Sequence, residues 1–414
     1  MSKAAARTES RIERIDGGVT AAAGFKAAGV YAGIKPKTHA WPLDVMLLTA
    51  DRAVSAAAVF TTNKTVAAPV LVSRDNLEQS GGRARAIVCN SGCANACTGD
   101  AGMIVARSTV EFVARRIGCP PEEVLIASTG VIGVDLDVNK VTSGVAAATA
   151  VLSRDRHHDA VLAIMTTDPF PKEAAVKVET AAGEFHVGGM TKGSGMIEPM
   201  MATMLGFLTC DAQVEPALLK KALTSAVRDT FNAITVDGEC STNDTVFAMA
   251  SGASGVVIDE TLYPALEAGL RAVSKSLALA IVRGGEGATK LITVRATGAG
   301  EWAHAERAAR TIANSLLVKT AVHGGDPNWG RLVAAAGRSG VPFDLSRAAV
   351  RIGGIVLFEN GEPHDANAEK AAAYLSGTDI DIEVDLGTGG QENATIWTCD
   401  LSAEYVRINA DYRT

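Results

Sequence analysis

Lys192-Gly193-Ser194-Gly195-Met196-Ile197-Glu198-Pro199-Met200-Met201-Ala202-Thr203-Met204-Leu205 lies near the middle of a chain of 414 residues. Two glycines, a proline and three methionines precede a small residue and a threonine, an odd composition for the interior of a helix or strand. Gly193 and Gly195 allow backbone angles that other residues resist. Pro199 fixes its own φ and pushes Glu198 toward extended geometry. A constrained stretch of this kind can hold one peptide bond against one hydroxyl. The bond is read as Ala202–Thr203, and the hydroxyl as that of Thr203. Two readings of Thr203 stand side by side. It is a plain threonine at the start of a strand, or a nucleophile that attacks the Ala202 carbonyl. In the second case an N-to-O acyl shift and hydrolysis free Thr203 as a new N-terminus. Its α-amine, with a reference pKa of about 7.7–8.0, then serves as base for its own hydroxyl.

The totals narrow the classes around this stretch. Hydrophobic residues are 47% and charged residues 21%, an ordinary globular balance with enough chain for two or three structural units. The net charge is −7 and Lys35-Pro36-Lys37 is the closest approach to a basic run, which argues against nucleic acid as a partner. No apolar run reaches the roughly 18 residues of a membrane span. Residues 1–15 mix Arg and Glu without an apolar core and read as a loose cytosolic arm. Seven cysteines, an odd number, suit a reducing compartment. Cys89, Cys93 and Cys97 have helical spacing, but Asn90-Ser91-Gly92 interrupts any helix there, so they read as buried small thiols rather than a metal site. His157-His158, in a polar link, reads as solvated surface.

Strands are expected over 44–50, 56–60, 84–89, 124–127, 160–165, 174–178, 184–188, 204–209, 246–250, 291–296, 349–358, 380–386 and 394–399. Residues 380–386 alternate apolar with acidic, so one face is wet. Helices are expected over 101–117, 138–152, 216–231, 262–282 and 303–315, the first stopped by Gly118 and Pro120, and Pro216 opening the third. Several connections carry small polar residues. Residues 90–99 read equally as a pocket lining and as a tight strand-to-helix turn. Thr129-Gly130 reads as a turn at a strand end, where backbone N–H groups and a hydroxyl suit an oxyanion hole. Residues 284–290 are glycine-rich but lack the Gly-Lys-[Ser/Thr] order of a phosphate loop and join helix to strand. Their Glu286 is better suited to gripping an ammonium. Residues 318–331, with Trp329 and Pro327, read as a loop at an interface or site wall.

The 192–205 stretch closely resembles the cleavage motif of the ornithine acetyltransferase (glutamate N-acetyltransferase) family of arginine biosynthesis. Residues 90–99, 128–133, 166–169, 241–245, 284–290, 326–331 and 409–414 resemble that family too, in the same order, so the likeness covers nearly the whole chain. The resemblance implies an α/β (α+β) sandwich of sheets and helices, like N-terminal-nucleophile enzymes. It implies autocatalytic cleavage into an α chain of residues 1–202 and a β chain of 203–414, with a C-terminal subdomain over roughly 300–414. An α2β2 heterotetramer in the cytoplasm follows. The implied reaction is ping-pong: N2-acetylornithine acetylates Thr203, and glutamate then takes the acetyl group, with no metal or organic cofactor. Matched motif to motif, Thr129 and Gly130 form the oxyanion hole and Lys192 binds the substrate α-carboxylate. Thr166 or Thr167, Glu286, Asn409 and Thr414 complete the amino-acid pocket.

The chain departs from the family pattern at Cys93, often Asn there; at Glu239-Cys240; and at His323 and Gly324. Cys93 is the departure placed to reshape the pocket. Three alternatives accompany the reading: an amidohydrolase or aminopeptidase that passes the acyl group to water, a bifunctional enzyme that also takes acetyl-CoA, and a non-catalytic binding protein that stays uncut.

Overall fold

The computed structural model describes residues 10–198 and 204–411. The first strands and helices are β1 (Arg11–Ile15), β2 (Phe25–Val30), β3 (Val45–Phe60), α1 (Ala68–Gln79), β4 (Arg83–Cys93), α2 (Gly99–Ile117), β5 (Val124–Val131), α3 (Val138–Val151) and α4 (His157–Ile164). Next come β6 (Lys172–Thr180), β7 (Gly183–Lys192), β8 (Leu205–Cys210), α5 (Pro216–Arg228), β9 (Thr245–Ala250) and α6 (Tyr263–Arg283). Among the described residues β1 to β9 form one sheet in the order β1-β6-β7-β8-β9-β3-β4-β5, with β2 added against β3. The pairs β4–β5 and β8–β9 are parallel and the others antiparallel.

Both faces of this sheet are covered, which is why its strands read as nearly continuous apolar runs. Val176, Val187, Leu208 and Val246 pack with Leu219 and Leu223 of α5 and Leu270 and Leu277 of α6. Met46, Leu48, Phe207 and Phe247 face Val161 and Ile164 of α4. Val45, Leu47, Val88 and Ile126 pack against α2 and α3. The two strands expected over 44–50 and 56–60 are one, β3, whose register shifts between Thr49 and Val54 where Asp51 and Arg52 are exposed. Helix α2 ends as expected: Gly118 sits in the left-handed region at φ 69° and its N–H donates to the Ala114 carbonyl.

A second sheet follows. It contains β10 (Leu291–Ala299), β11 (Ala349–Ile352), β12 (Ile355–Glu359), β13 (Glu362–Pro363), β14 (Asp379–Asp385) and β15 (Glu392–Cys399), in the order β13-β12-β11-β14-β10-β15. Its helices are α7 (Trp302–Ala313), α8 (Leu316–His323), α9 (Trp329–Gly337) and α10 (Ala368–Leu375), and α11 (Ala403–Asp411) closes the described chain. Ile292, Val294, Ile382 and Ile396 of the sheet meet Ala305, Ala309 and Ile312 of α7. Residues 380, 382 and 384 are buried and 379 and 381 exposed, the alternation the sequence showed. The mixed α/β class is therefore as expected.

Several local expectations give way to tertiary context. Residues 160–165 are mostly the helix α4; a short apolar run buried on a sheet does not reveal its own period. Part of the expected loose arm is the edge strand β1, paired with β6 through Arg11↔Glu179 to Ile15↔Ala175. Residues 349–358 are a hairpin of two strands. The region 318–331 is largely helical, and Trp329 stacks on Phe358 with ring centroids 4.9 Å apart. His157 is not merely solvated: its Nδ1 lies 2.6 Å from Glu173 Oε1. Among the three closely spaced thiols, Cys89 and Cys93 are buried and Cys97 is exposed.

Candidate active site

Strand β7 leaves the first sheet at Lys192, and β8 re-enters directly opposite at Leu205, its register partner. The excursion between them contains the quoted stretch. Ala202 and Thr203 lie outside the described residues, as does Thr414. Both flanks are tied down. On the near side, Met196 N–H and Ile197 N–H donate to the two oxygens of Asp237 at 2.7 and 2.8 Å. On the far side, the buried Met204 accepts at its carbonyl from Thr245 N–H at 3.0 Å.

Around this exit lies a cavity whose walls include Thr129, Gly130, Thr166, Thr167, Lys192, Glu286 and Asn409. These residues come from five places in the chain, and the fold brings all seven together. Thr129 and Gly130 do not form a turn. Strand β5 runs on through both, paired in parallel with the end of β4, which itself extends through the expected loop to Cys93. Gly130 has φ 127°, and a Cβ there would sit 2.3 Å from the Gly92 carbonyl carbon, so only glycine fits between the strands. Lys192 Nζ donates to Thr129 Oγ1 at 3.3 Å. That contact uses a hydroxyl lone pair and leaves the Thr129 proton available for another acceptor.

Glu286 follows α6 and is 7% exposed. Its N–H donates to the Ser194 carbonyl at 2.8 Å, and its Oε2 accepts from Asn409 Nδ2 of α11 at 2.8 Å. A Cβ at Gly195 would lie 2.4 Å from the same Oε2, so this glycine makes room for the carboxylate. Thr167 Oγ1 and Ser194 Oγ are 2.6 Å apart. Among the described residues that line it, the cavity thus has the cation Lys192 and the carboxylates Asp237, Glu239, Asp244 and Glu286, charges of both signs such as an amino acid's own carboxylate and ammonium need.

Several residues in the cavity wall or beneath it were not singled out from the sequence as site residues. Asp168, wholly buried, accepts from Lys172 Nζ at 2.6 Å, Gly193 N–H at 2.7 Å and Thr166 N–H at 3.0 Å. Burial alone would raise its carboxyl. Lys172 and Lys192, with the hydrogen bonds from Lys172 and Gly193, outweigh that and hold it well below the ordinary carboxylate range. Beneath it, burial lowers the Lys35 ammonium to about 8 against the pull of Asp44 and Asp168, and Lys35 Nζ donates to the Met165 carbonyl at 2.9 Å. Asn243 Nδ2 bridges the Ala94 and Ser128 carbonyls at 2.6 and 2.9 Å, fixing β5 against the chain beyond β4. Tyr405, raised by burial and by Asp237, stays a neutral donor and reaches Asp237 Oδ2 at 3.2 Å. The Thr-Thr-Asp-Pro run of 166–169 was the available signal for Asp168. The 241–245 run was likewise the signal for Asn243, whereas Tyr405 carried none, because its partner Asp237 lies 168 residues away.

The departures at Cys93 and His323 fall away from the cavity wall. Cys93 packs in the core with its thiol 3.4 Å from the Val134 carbonyl, and His323 Nδ1 meets Asp400 Oδ2 at 2.7 Å. Glu239 does line the cavity.

The ArgJ family pattern matches residues 26–414. The chain belongs to the ArgJ family. It is 47% identical over 406 residues to the arginine biosynthesis bifunctional protein ArgJ of Parasynechococcus marenigrum, covering 98% of each chain. It is 47% identical to the protein of that name from Symbiobacterium thermophilum, over 97% of this chain and all of the other. Among solved structures it is similar to the Bacillus halodurans ArgJ, with 42% identity, TM-score 0.49, and coverage of 51% of this chain and all of that one. It is also similar to an ornithine acetyltransferase complexed with ornithine from Mycobacterium tuberculosis, with 40% identity, TM-score 0.41, and coverage of 46% and 98%. Among the described residues no helix of this ArgJ-family chain is long and apolar enough to cross a membrane.

Proposed function

We propose that this ArgJ-family chain is a glutamate N-acetyltransferase of arginine biosynthesis that works from Thr203 after cutting itself at Ala202–Thr203. The supporting observation is the convergence of Thr129, Gly130, Thr166, Thr167, Lys192, Glu286 and Asn409 on the one cavity beside the residues that flank this bond.

In maturation Thr203 Oγ attacks the Ala202 carbonyl. The C–N bond breaks as the ester forms, and water then hydrolyses the ester, leaving Ala202 with a carboxylate and Thr203 with a free α-amine. In turnover the neutral amine takes the hydroxyl proton while Oγ attacks the acetyl carbon of N2-acetylornithine. The oxyanion faces the Thr129 hydroxyl and the Gly130 backbone, donors of a kind worth about 2.7–4 kcal/mol each at the transition state. Collapse expels the ornithine amine, which receives the proton. Glutamate's amine then attacks the acetyl-threonine ester, and N-acetylglutamate leaves with Oγ reprotonated. Lys192 holds the α-carboxylate common to both amino acids, and Glu286, steadied by Asn409, takes the ornithine ammonium. Thr166 or Thr167 and Thr414 complete the pocket. The α chain of 1–202 and β chain of 203–414 remain together, as an α2β2 assembly, with residues from roughly 300 onward as a C-terminal subdomain of the β chain.

The test is ornithine release from N2-acetylornithine with and without glutamate. Release should require glutamate and match N-acetylglutamate formed; release that ignores glutamate would make the chain an amidohydrolase. The word bifunctional in the relatives' names supports a second donor, acetyl-CoA, which the same assay reads as N-acetylglutamate formed from acetyl-CoA and glutamate. Glu286→Gln keeps the shape and removes the charge. Its KM for N2-acetylornithine should rise tenfold or more, as expected for losing a hydrogen bond of about 1.5–3 kcal/mol to a charged group, with a smaller change for glutamate.

A further inference from the structure

On the far side of the first sheet's exit, Glu198 is held by a network that the catalytic reading does not use. Its N–H donates to the Glu239 carbonyl at 2.7 Å, continuing the pairing in which Val236 N–H donates to the Ile197 carbonyl at 2.7 Å. Its side chain does not point to the catalytic cavity. It lines a separate cleft with α7 and β15. There Oε2 accepts from Asn314 Nδ2, and Oε1 lies 3.8 Å from Arg310 Nη1. Asn314 is the residue that ends α7, its N–H returned to the Arg310 carbonyl at 3.0 Å.

The Thr235 hydroxyl belongs to the same network: its Oγ1 is 3.1 Å from the Ile197 carbonyl and 3.4 Å from Glu198 Oε2. Asn314 Oδ1 lies 2.7 Å from Thr235 Oγ1, which has a proton to donate. Turning the amide over would set its oxygen against the Glu198 carboxylate, with no proton between them. Arg310 is held in turn by Glu306 at 2.6 Å through Nε and by the Asn232 carbonyl at 2.6 Å. Glu198 is 13% exposed at its side chain and Arg310 17%, so solvent competes little for these bonds.

We propose that Asn314, with Arg310, is a positioning residue for self-cleavage: the last turn of α7 clamps Glu198 and so aims the chain entering the Ala202–Thr203 bond. This rests on the self-cleavage reading above. Four residues lie between Glu198 and Thr203, so Glu198 on one side and Met204, whose carbonyl accepts from Thr245 N–H, anchor the two ends of the short segment that carries the scissile bond. Confinement of this sort raises the fraction of time in which a hydroxyl and a carbonyl meet at attack distance. The clamp couples maturation to the second sheet, because α7 packs on β10 and β15. A chain whose C-terminal half is unfolded has no clamp and should stay uncut.

The experiment follows the full-length chain on a denaturing gel at intervals after synthesis, for wild type, Asn314→Ala and Asn314→Asp. Wild type should convert to two bands. Asn314→Ala, folded by its circular dichroism, should convert at least tenfold more slowly. In Asn314→Asp two carboxylates face each other at neutral pH, so conversion should be slow at pH 7.5 and recover several-fold relative to wild type near pH 5, where a protonated Asp again donates to Glu198. Wild-type speed in Asn314→Ala would overturn the clamp. If that variant does not fold, the Asp series decides: a pH profile parallel to that of wild type overturns the clamp, and a recovery at low pH supports it. A wild-type chain that is never cut would instead overturn the self-cleavage reading itself.

Discussion

Thr203→Ala should leave a single band at the full mass of 42.7 kDa and no measurable exchange of acetyl between N2-acetylornithine and glutamate. The substitution removes the one oxygen that both steps need. Of the other hydroxyls that line the cavity, Thr129 Oγ1 accepts from Lys192 and has its proton for the oxyanion, and Thr167 Oγ1 lies 2.6 Å from Ser194 Oγ. Loss of a nucleophile in enzymes of related logic lowers turnover by about 10⁴-fold or more, leaving only what binding and the oxyanion donors supply. Thr203→Ser keeps the oxygen and should cut and turn over at a reduced rate. The pair separates a chemical role from a structural one. If Thr203→Ala still splits into two chains, the cleavage site is elsewhere.

The second large effect is expected under the cavity rather than in it. Asp168→Asn should cost about 3–5 kcal/mol at pH 7, read as a shift in the chemical denaturation midpoint, because it leaves the buried Lys172 ammonium without its counter-charge. An asparagine also has only one acceptor oxygen where the carboxylate meets donors on both: Lys172 and Gly193 on one oxygen, Thr166 on the other. One side must face an NH2 group. The pH dependence gives a separate reading. The Asp168 carboxyl lies below its ordinary value of 3.8 in the folded chain, so the unfolded chain binds its proton first as pH falls. Its contribution is therefore complete above about pH 4 and is lost as pH drops through the folded value. The gap between wild type and Asp168→Asn should close progressively below pH 4. A gap constant down to about pH 2.5 would show that the carboxylate charge is not what matters. Because Gly193 N–H is one of the three donors, the same variant should also loosen the start of the 193–204 excursion and slow self-cleavage.

Much of the site was legible one motif at a time. Glycines at 193 and 195, a proline at 199 and a small-residue–Thr pair mark a constrained excursion from local chemistry alone. Glu286 in a glycine turn announces a carboxylate that is held rather than solvated. Resemblance supplied the grouping of Thr129, Gly130, Thr166, Thr167, Lys192, Glu286 and Asn409, since no spacing within the chain connects residue 129 with residue 409. Local reasoning failed where burial overrode period. Residues 160–165 look like a strand because a helix buried on a sheet shows little polar face, and β3 looks like two strands because its bend exposes Asp51 and Arg52. It failed again at 318–331, where a proline and a Trp suggested a loop and parts of two short helices cover the second sheet.

What the sequence determined by itself was the chemistry on offer: which residue types exist, which backbone positions tolerate only glycine, and how the apolar pattern divides into strands and helices. Hydrophobic period and turn residues act over a few residues, so they are visible without a fold. Tertiary structure alone decided the rest. Asp168 on Gly193, Asn243 between two strands, and Asn314 on Glu198 are contacts between residues 25 to 149 apart. Their strength comes from burial, which removes competing water, and burial belongs to the assembled molecule rather than to any stretch of it.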